Sequence, residues 1–199
     1  MIDRRELLEK ARERNVSLQM VEKDYVLGWL LSGLSKFDGL VFKGGTALSK
    51  IYFPETWRLS EDLDFAFTGK DFLFLLEGIP KSLQELSVKS GMRFEVRNQF
   101  TNPEYMQLKI RYEALLSINW AKVDATKEDV LDKTQERKLK TAYSDYPDFT
   151  VRVESLEEIF AEKLRSLIER KKCRDLSGGY ARQNLTESCC CPYSGKNAH

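Results

Sequence analysis

Two aspartates one residue apart, Asp62 and Asp64, alternate with Leu63 and Phe65 in the run DLDFAF. Such alternation specifies a strand with both carboxylates on one face and the apolar side chains on the other. Like charges held that close repel, and the usual remedy is a divalent cation, which prefers hard oxygen ligands. Upstream, the apolar GLVF ends at Gly44 and Gly45, and TALSKIYF then reads as a helix. Glycines between a strand and a helix let backbone N–H groups approach a phosphate where the helix terminus favours negative charge. Lys43 adds a positive charge there and Thr46 a hydroxyl. A glycine pair alone often just satisfies backbone geometry, and D-x-D alone is similarly weak. Strand, glycine turn, helix and D-x-D strand in that order read as half of a metal-dependent nucleotide site.

The rest of the chain supplies a setting for that half-site. Residues 3–14 form a polar helix, and Ser17 caps a second helix through about Phe37. Residues 70–90 are helical, with Phe72, Phe74, Leu75 and Leu76 read as core. After Gly91 the period changes to two, in RFEVR, MQLKIRY and SINWAKVDA, which read as antiparallel strands with one wet face. TKEDVLDKTQERKLKTAYSDYPD is polar and reads as a loop or mobile excursion, and FTVRV as one more short strand. Ser155 and Glu158 form a capping box that opens a helix to about Lys172. The fold class expected is α+β, a mixed sheet flanked by helices.

Two more residues fit the half-site. Alternation puts Trp120, Lys122 and Asp124 on one strand face, so Asp124 is a candidate third carboxylate; a plain strand end is the alternative. Lys163 lies near the centre of the stripe Leu156, Ile159, Phe160, Leu164 and Leu167. A lysine there snorkels, pairs with an acid or points into a cleft. A phosphate is one cleft partner, and it would make Lys163 both a catalytic and an NTP-binding candidate.

Composition narrows the classes. The chain has 199 residues with 32 Lys and Arg against 31 Asp and Glu, a formal net charge of +1, so any polyanion contact comes from local clusters. Basic clusters such as QERKLK and ERKK are explained by solvated faces as readily as by RNA contact. The N-terminus lacks a signal-peptide core, and the longest apolar run, YVLGWLLSGL, is too short for a bilayer span, so a cytoplasmic protein without a membrane partner is expected. The cysteines, Cys173 and Cys189 to Cys191, match neither a disulfide framework nor a zinc site. His199 is the one histidine, which excludes a histidine-based triad, and no GxxxxGK[ST] run marks a P-loop.

The blocks KGGTALSK, RLSEDLDF and SLEEIFAEKLRSLIERKKCRDL, with VEKDYVLGWLL before them, resemble the signature of the AbiEii/AbiGii toxin family of nucleotidyltransferases. That family is related to the MenT toxins and to the DNA polymerase β-like superfamily. The four blocks occur in order across most of the first 176 residues. The resemblance implies binding of an NTP and Mg²⁺ (or Mn²⁺) by Lys43, Gly44, Gly45, Thr46, Asp62 and Asp64, with Ser60 just before the carboxylates. It also implies roles for Lys163 and for Asp175. In MenT-related members it implies nucleotide addition to the 3′ end of tRNA, and elsewhere in the family a cognate antitoxin.

Two departures stand out. The interval between Gly45 and Asp62 is longer than the superfamily's, with FPETW as the excess. After Leu176 the chain reads SGGYARQNLTESCCCPYSGKNAH, without period or apolar content. One nucleotidyltransferase-like domain over 1–176 is therefore expected, with N-terminal helices to 37, a sheet core over 38–153 and a helix over 155–172. An irregular tail of frameshifted or truncated character follows over 177–199. The function expected is metal-dependent transfer of a nucleoside monophosphate from an NTP to an acceptor RNA by a toxin. An impaired NTP-binding relic or regulatory protein, and a kinase-like phosphotransferase toxin, are the alternatives.

Overall fold

The structure is a computed structural model that describes residues 2–54, 61–130, 133–139 and 143–170, without the side chains of 169 and 170. Helix α1 (Arg4–Arg14) is capped by Asp3, which accepts from the Glu6 N–H at 2.8 Å, and it ends at Asn15 in the left-handed region, φ 53°. Helix α2 (Leu18–Leu34) is capped by Ser17 and buries nearly every residue from Val21 onward. Strand β1 (Leu40–Lys43) leads into α3 (Gly44–Ala47), which continues as a π-helical turn over Leu48–Tyr52. Strand β2 (Asp62–Phe67) and helix α4 (Leu73–Ser90) follow, α4 ending at Gly91 with φ 73°. Then come β3 (Arg93–Thr101), β4 (Tyr105–Glu113), β5 (Ile118–Lys127), β6 (Gln135–Lys138), β7 (Thr150–Val153) and α5 (Leu156–Arg170).

These strands form one mixed sheet in the order β3-β4-β5-β2-β1-β7-β6. The β5–β2 and β1–β7 pairs are parallel, the others antiparallel. Alternation decides the faces: Phe42, Leu63, Phe65, Leu108, Ile110 and Val123 join Leu27, Leu30, Leu31, Leu75 and Leu83 of α2 and α4 in one core. The opposite face carries Lys43, Asp62, Asp64 and Asp124, and it is the polar one. An α+β fold with a mixed sheet flanked by helices is thus what the chain adopts.

Two expectations need correction. The polar excursion before β7 is not all loop, because Gln135–Lys138 pairs antiparallel with β7 at the sheet edge. Nor is its end adrift: Tyr143 is buried, and the Tyr146 hydroxyl donates to the Tyr25 carbonyl of α2 at 2.7 Å. Phe74, read as core, is 60% exposed, although its ring lies edge-on to Phe37. Among the described residues, no helix is long and apolar enough to cross a membrane.

Candidate active site

Register across four strands builds the site. Lys43 of β1 stands opposite Asp64 of β2, Asp64 opposite Asp124 of β5, and Asp124 opposite Gln107 of β4. Asp62 lies two residues from Asp64 on the same face, opposite Lys122. The sequence therefore folds its three candidate carboxylates onto neighbouring positions of two parallel strands. Burial pushes the Asp64 carboxyl up to about 6, and the negative charges of Asp124 and Asp62 push in the same direction. Asp62 is raised as well, by burial first and by Asp124, against the pull of Lys122.

Among the described residues, Asp124 differs from the other two in having donors on its carboxylate. Tyr105 Oη donates to Asp124 Oδ1 at 2.7 Å, Gln107 Nε2 donates to the same oxygen at 3.0 Å, and Lys122 Nζ reaches Oδ2 at 2.5 Å. These contacts fix its orientation. Lys122 stands opposite Asp62, and its own pKa is raised by Asp124 although burial alone would lower it.

The glycine turn is built against this row. Gly44 has φ 76°, and a Cβ placed on it would sit 2.8 Å from Asp64 Oδ2. Only glycine meets both demands, so the turn and the carboxylate need each other. Thr46 Oγ1 donates to the Asp62 carbonyl at 2.7 Å, clamping the start of α3 onto β2. The hydroxyl expected to face a phosphate is thus committed to the backbone.

Lys43 is likewise engaged, by acids that its sequence neighbourhood does not contain. Its ammonium contacts Glu128, lies 2.6 Å from Glu162 Oε1 on α5 and 4.0 Å from Glu154 Oε1. Oxygens of these three glutamates lie within 4.8 Å of one another, so the Lys43 ammonium sits among a trio spaced as a cation site would be. Burial pushes Glu154 up to about 8, with Glu162 and Glu128 adding to the effect and Lys43 opposing it. Its Oε2 is buried with no hydrogen-bond partner among the described residues. Burial would lower the Lys43 pKa, but hydrogen bonds to Glu128 and Glu162 raise it.

Lys163 is half-buried on α5, one residue beyond the Glu162 that holds Lys43. The stripe around it is less covered than its pattern implied: Ile159 is fully buried, while Leu164 is 59% exposed. Ser60 and Asp175 lie outside the described residues. Sequence reasoning missed Tyr105, Gln107 and the three glutamates. Alternation had put Lys122 on the face of Asp124, and the same signal in MQLKIRY marks Gln107; only the strand order brings it to Asp124.

An all-oxygen acid row beside a positive-φ glycine turn on a mixed sheet defines a nucleotidyltransferase-like α+β domain. Residues 29–177 match the family described as nucleotidyl transferase AbiEii toxin, type IV TA system, and the chain belongs to that family. Its fold is similar to that of MenT4, a nucleotidyltransferase toxin from Mycobacterium tuberculosis H37Rv, at 22% identity and TM-score 0.61 over 82% of this chain and 58% of that one. It is similar also to JHP933 from Helicobacter pylori, at 20% identity and TM-score 0.55 over 80% of this chain and 64% of that one. The chain therefore spans about three fifths of the length of these proteins. No curated protein matches it.

Proposed function

We propose that the chain transfers a nucleoside monophosphate from an NTP to the 3′ end of an RNA, with tRNA as the leading acceptor, acting as the toxin of a pair that includes a cognate antitoxin. The observation that carries this reading is the register of Asp64 with Asp124 on a parallel strand, beside Asp62 and against Gly44. Membership of a nucleotidyltransferase toxin family supports the class of reaction. The donor set fits Mg²⁺ or Mn²⁺, since it is all oxygen and the charges of Asp124 and Asp62 add to burial in raising the Asp64 carboxyl. Asp62 and Asp64, with Asp124, would hold the ion, which when bound supplies charge neutralisation and acidifies an attacking hydroxyl.

The chain's own groups do the rest. Backbone N–H groups at Gly44, Gly45 and Thr46 face the phosphates, and Lys163 on α5 balances charge building on them. In the reaction, the acceptor 3′ oxygen forms a bond to the α-phosphorus while the bond to the β-phosphate oxygen breaks. Pyrophosphate leaves with that electron pair, and the hydroxyl proton passes to solvent. Lys43 is a positioning residue, whose contacts to Glu128 and Glu162 tie β1 to the segment after β5 and to α5.

The test is incubation of the protein with Mg²⁺, total tRNA and each α-labelled NTP in turn, beside Asp64→Ala. Label on tRNA that vanishes in the variant is the expected result. Retention of transfer by Asp64→Ala would remove the metal assignment. Label from the γ-phosphate on protein would replace nucleotidyl transfer with a kinase-like reaction, and NTP binding with no transfer to any acceptor would mark a binding protein.

A further inference from the structure

The row of acids does not end the polar face of the sheet. Along β5, Trp120 and Lys122 precede Asp124 on the same side, while Ala121, Val123 and Ala125 are buried beneath. Across the strand gap, Lys109 stands opposite Lys122 and Arg111 opposite Trp120. The Lys109 ammonium lies 4.9 Å from the centroid of the Trp120 ring. On the far side of Asp124, Phe100 stands opposite Gln107 on the outer strand and is 56% exposed.

A wet sheet face alternating polar residues needs no ligand, and single exposed aromatics are ordinary. The pattern here is narrower. Trp120 is 39% exposed with a cation against it, and the strip leads in two strand steps to the carboxylates. Four residues of strand span about 13 Å. Aromatic rings for bases and cations for the backbone are how proteins bind single-stranded nucleic acid without reading its sequence. Arg111 is balanced by Glu113 at 2.8 Å and Lys122 by Asp124, which leaves Lys109 as the charge most available to a phosphate.

We infer that this strip of β4 and β5 is the acceptor track. A single-stranded polynucleotide lies along it with a base stacked on Trp120 and a phosphate met by Lys109, which delivers the 3′ hydroxyl to Asp124. The assignment of the 3′ end rests on the nucleotidyl-transfer reading above; the binding surface does not. The strand is polyanionic where the strip is cationic, and the track is continuous with the acid row, which favours a nucleic acid over a protein segment as its occupant.

The experiment measures anisotropy of a 5′-labelled, unstructured RNA of about a dozen nucleotides, a length suited to one such platform, with the full chain and no NTP. Trp120→Ala is expected to weaken binding about tenfold or more, as for loss of one stacked base, and Trp120→Phe to restore most of it. Lys109→Ala is expected to lower the slope of log affinity against log salt by about 0.7, the value for one phosphate contact on a single strand. NTP binding measured by calorimetry should be unchanged in both. RNA affinity in Trp120→Ala and Lys109→Ala equal to that of the parent would overturn the proposal, as would a parent chain that binds a protein but not the RNA. Lys109 is exposed, so its variant keeps the test valid even if Trp120→Ala fails to fold. Track-dependent RNA binding without α-label transfer would sink the transfer reading and leave the track standing. Transfer that ignores both substitutions would do the reverse.

Discussion

Asp24 and Asp64 are both aspartates in low-dielectric surroundings, yet their carboxyls are displaced in opposite directions. Around Asp24, Lys50 Nζ donates to Oδ1 at 2.6 Å and to the backbone carbonyl at 2.9 Å. Arg14 Nη1 reaches Oδ2 at 3.2 Å and the Tyr143 hydroxyl reaches it at 2.9 Å. Burial would raise this carboxyl, but Lys50 first and then Arg14 and Tyr143 hold it below the usual carboxylate range. Around Asp64, burial and the charges of Asp124 and Asp62 act together and outweigh the pull of Lys122 and Lys43. A charge whose compensation is built in serves the fold, here by bolting α2 to the π-helical turn after α3. One whose carboxyl stays raised marks a candidate ligand site.

Breaking the compensated region should have the largest effect. Lys50 is 1% exposed, so Lys50→Met leaves Asp24 buried and charged with only Arg14 and Tyr143 as donors. Removing one member of such a pair costs about 3–5 kcal/mol, read as a fall in unfolding free energy in urea at neutral pH. The double variant Lys50→Met/Asp24→Leu should recover part of that loss, since the buried carboxylate is gone and only the part-buried Arg14 loses this partner. A Lys50→Met loss below about 1 kcal/mol, the scale of an exposed pair, would show that the two regions do not differ in kind.

The uncompensated region should respond with the opposite sign. The folded pKa of Asp64 is raised from 3.8 to about 6. Below the unfolded value both states carry the proton and nothing is lost; as pH rises from there through about 6, stability falls, and the deficit stays constant above. Two pKa units correspond to about 3 kcal/mol as an upper figure. Asp64→Asn removes the charge, so it should stabilise the metal-free chain at about pH 7 by up to that amount and change little at about pH 4. If the proposed metal assignment holds, Mg²⁺ should raise the melting temperature of the parent chain and leave that of Asp64→Asn unchanged. Asp24 runs the other way: its lowered pKa gives stability that is present above 3.8 and lost as pH falls through the folded value. A pH series on the two variants separates them, and equal slopes would refute the contrast.

Much of this was legible before any fold. Apolar alternation marked β2, β4 and β5, and Ser17 and Ser155 marked helix starts, because these signals are local. Strand β6 was not legible: QERK has no apolar face, and its extended state comes from pairing with Val151 and Val153 at the sheet edge. The pairing of β5 beside β2, which brings Asp124 to Asp64, is likewise a property of sheet order, which no spacing encodes. Lys43 shows the same limit at the candidate site. Its neighbour Gly44 pointed to phosphate, whereas its ammonium is held by Glu128, Glu154 and Glu162, from three segments far along the chain. Thr46 and Lys43 were singled out by the motif; what their polar atoms contact was decided by partners outside it.

Matched hydroxyl deletions give the smallest and sharpest comparison. Tyr143 Oη donates to Asp24 Oδ2 at 2.9 Å and is buried, while Tyr105 Oη donates to Asp124 Oδ1 at 2.7 Å at the half-buried rim of the acid row. Each hydroxyl donates to a carboxylate and accepts from one side chain, Arg14 Nη1 at 3.2 Å on Tyr143 and Gln107 Nε2 at 2.6 Å on Tyr105, so bond chemistry alone predicts similar losses. Surroundings predict otherwise. Tyr143→Phe leaves a buried anion short of a donor, a deficit of about 1.5–3 kcal/mol for a charged group. Tyr105→Phe leaves Gln107 Nε2 on the same oxygen at 3.0 Å and solvent close by, so a loss of about 0.5 kcal/mol is expected. Urea unfolding of the two variants resolves a difference of that size. If Tyr105→Phe proved as damaging as Tyr143→Phe, the acid row would be a structural anchor like the Asp24 network, and the argument that its charge awaits a ligand would fail.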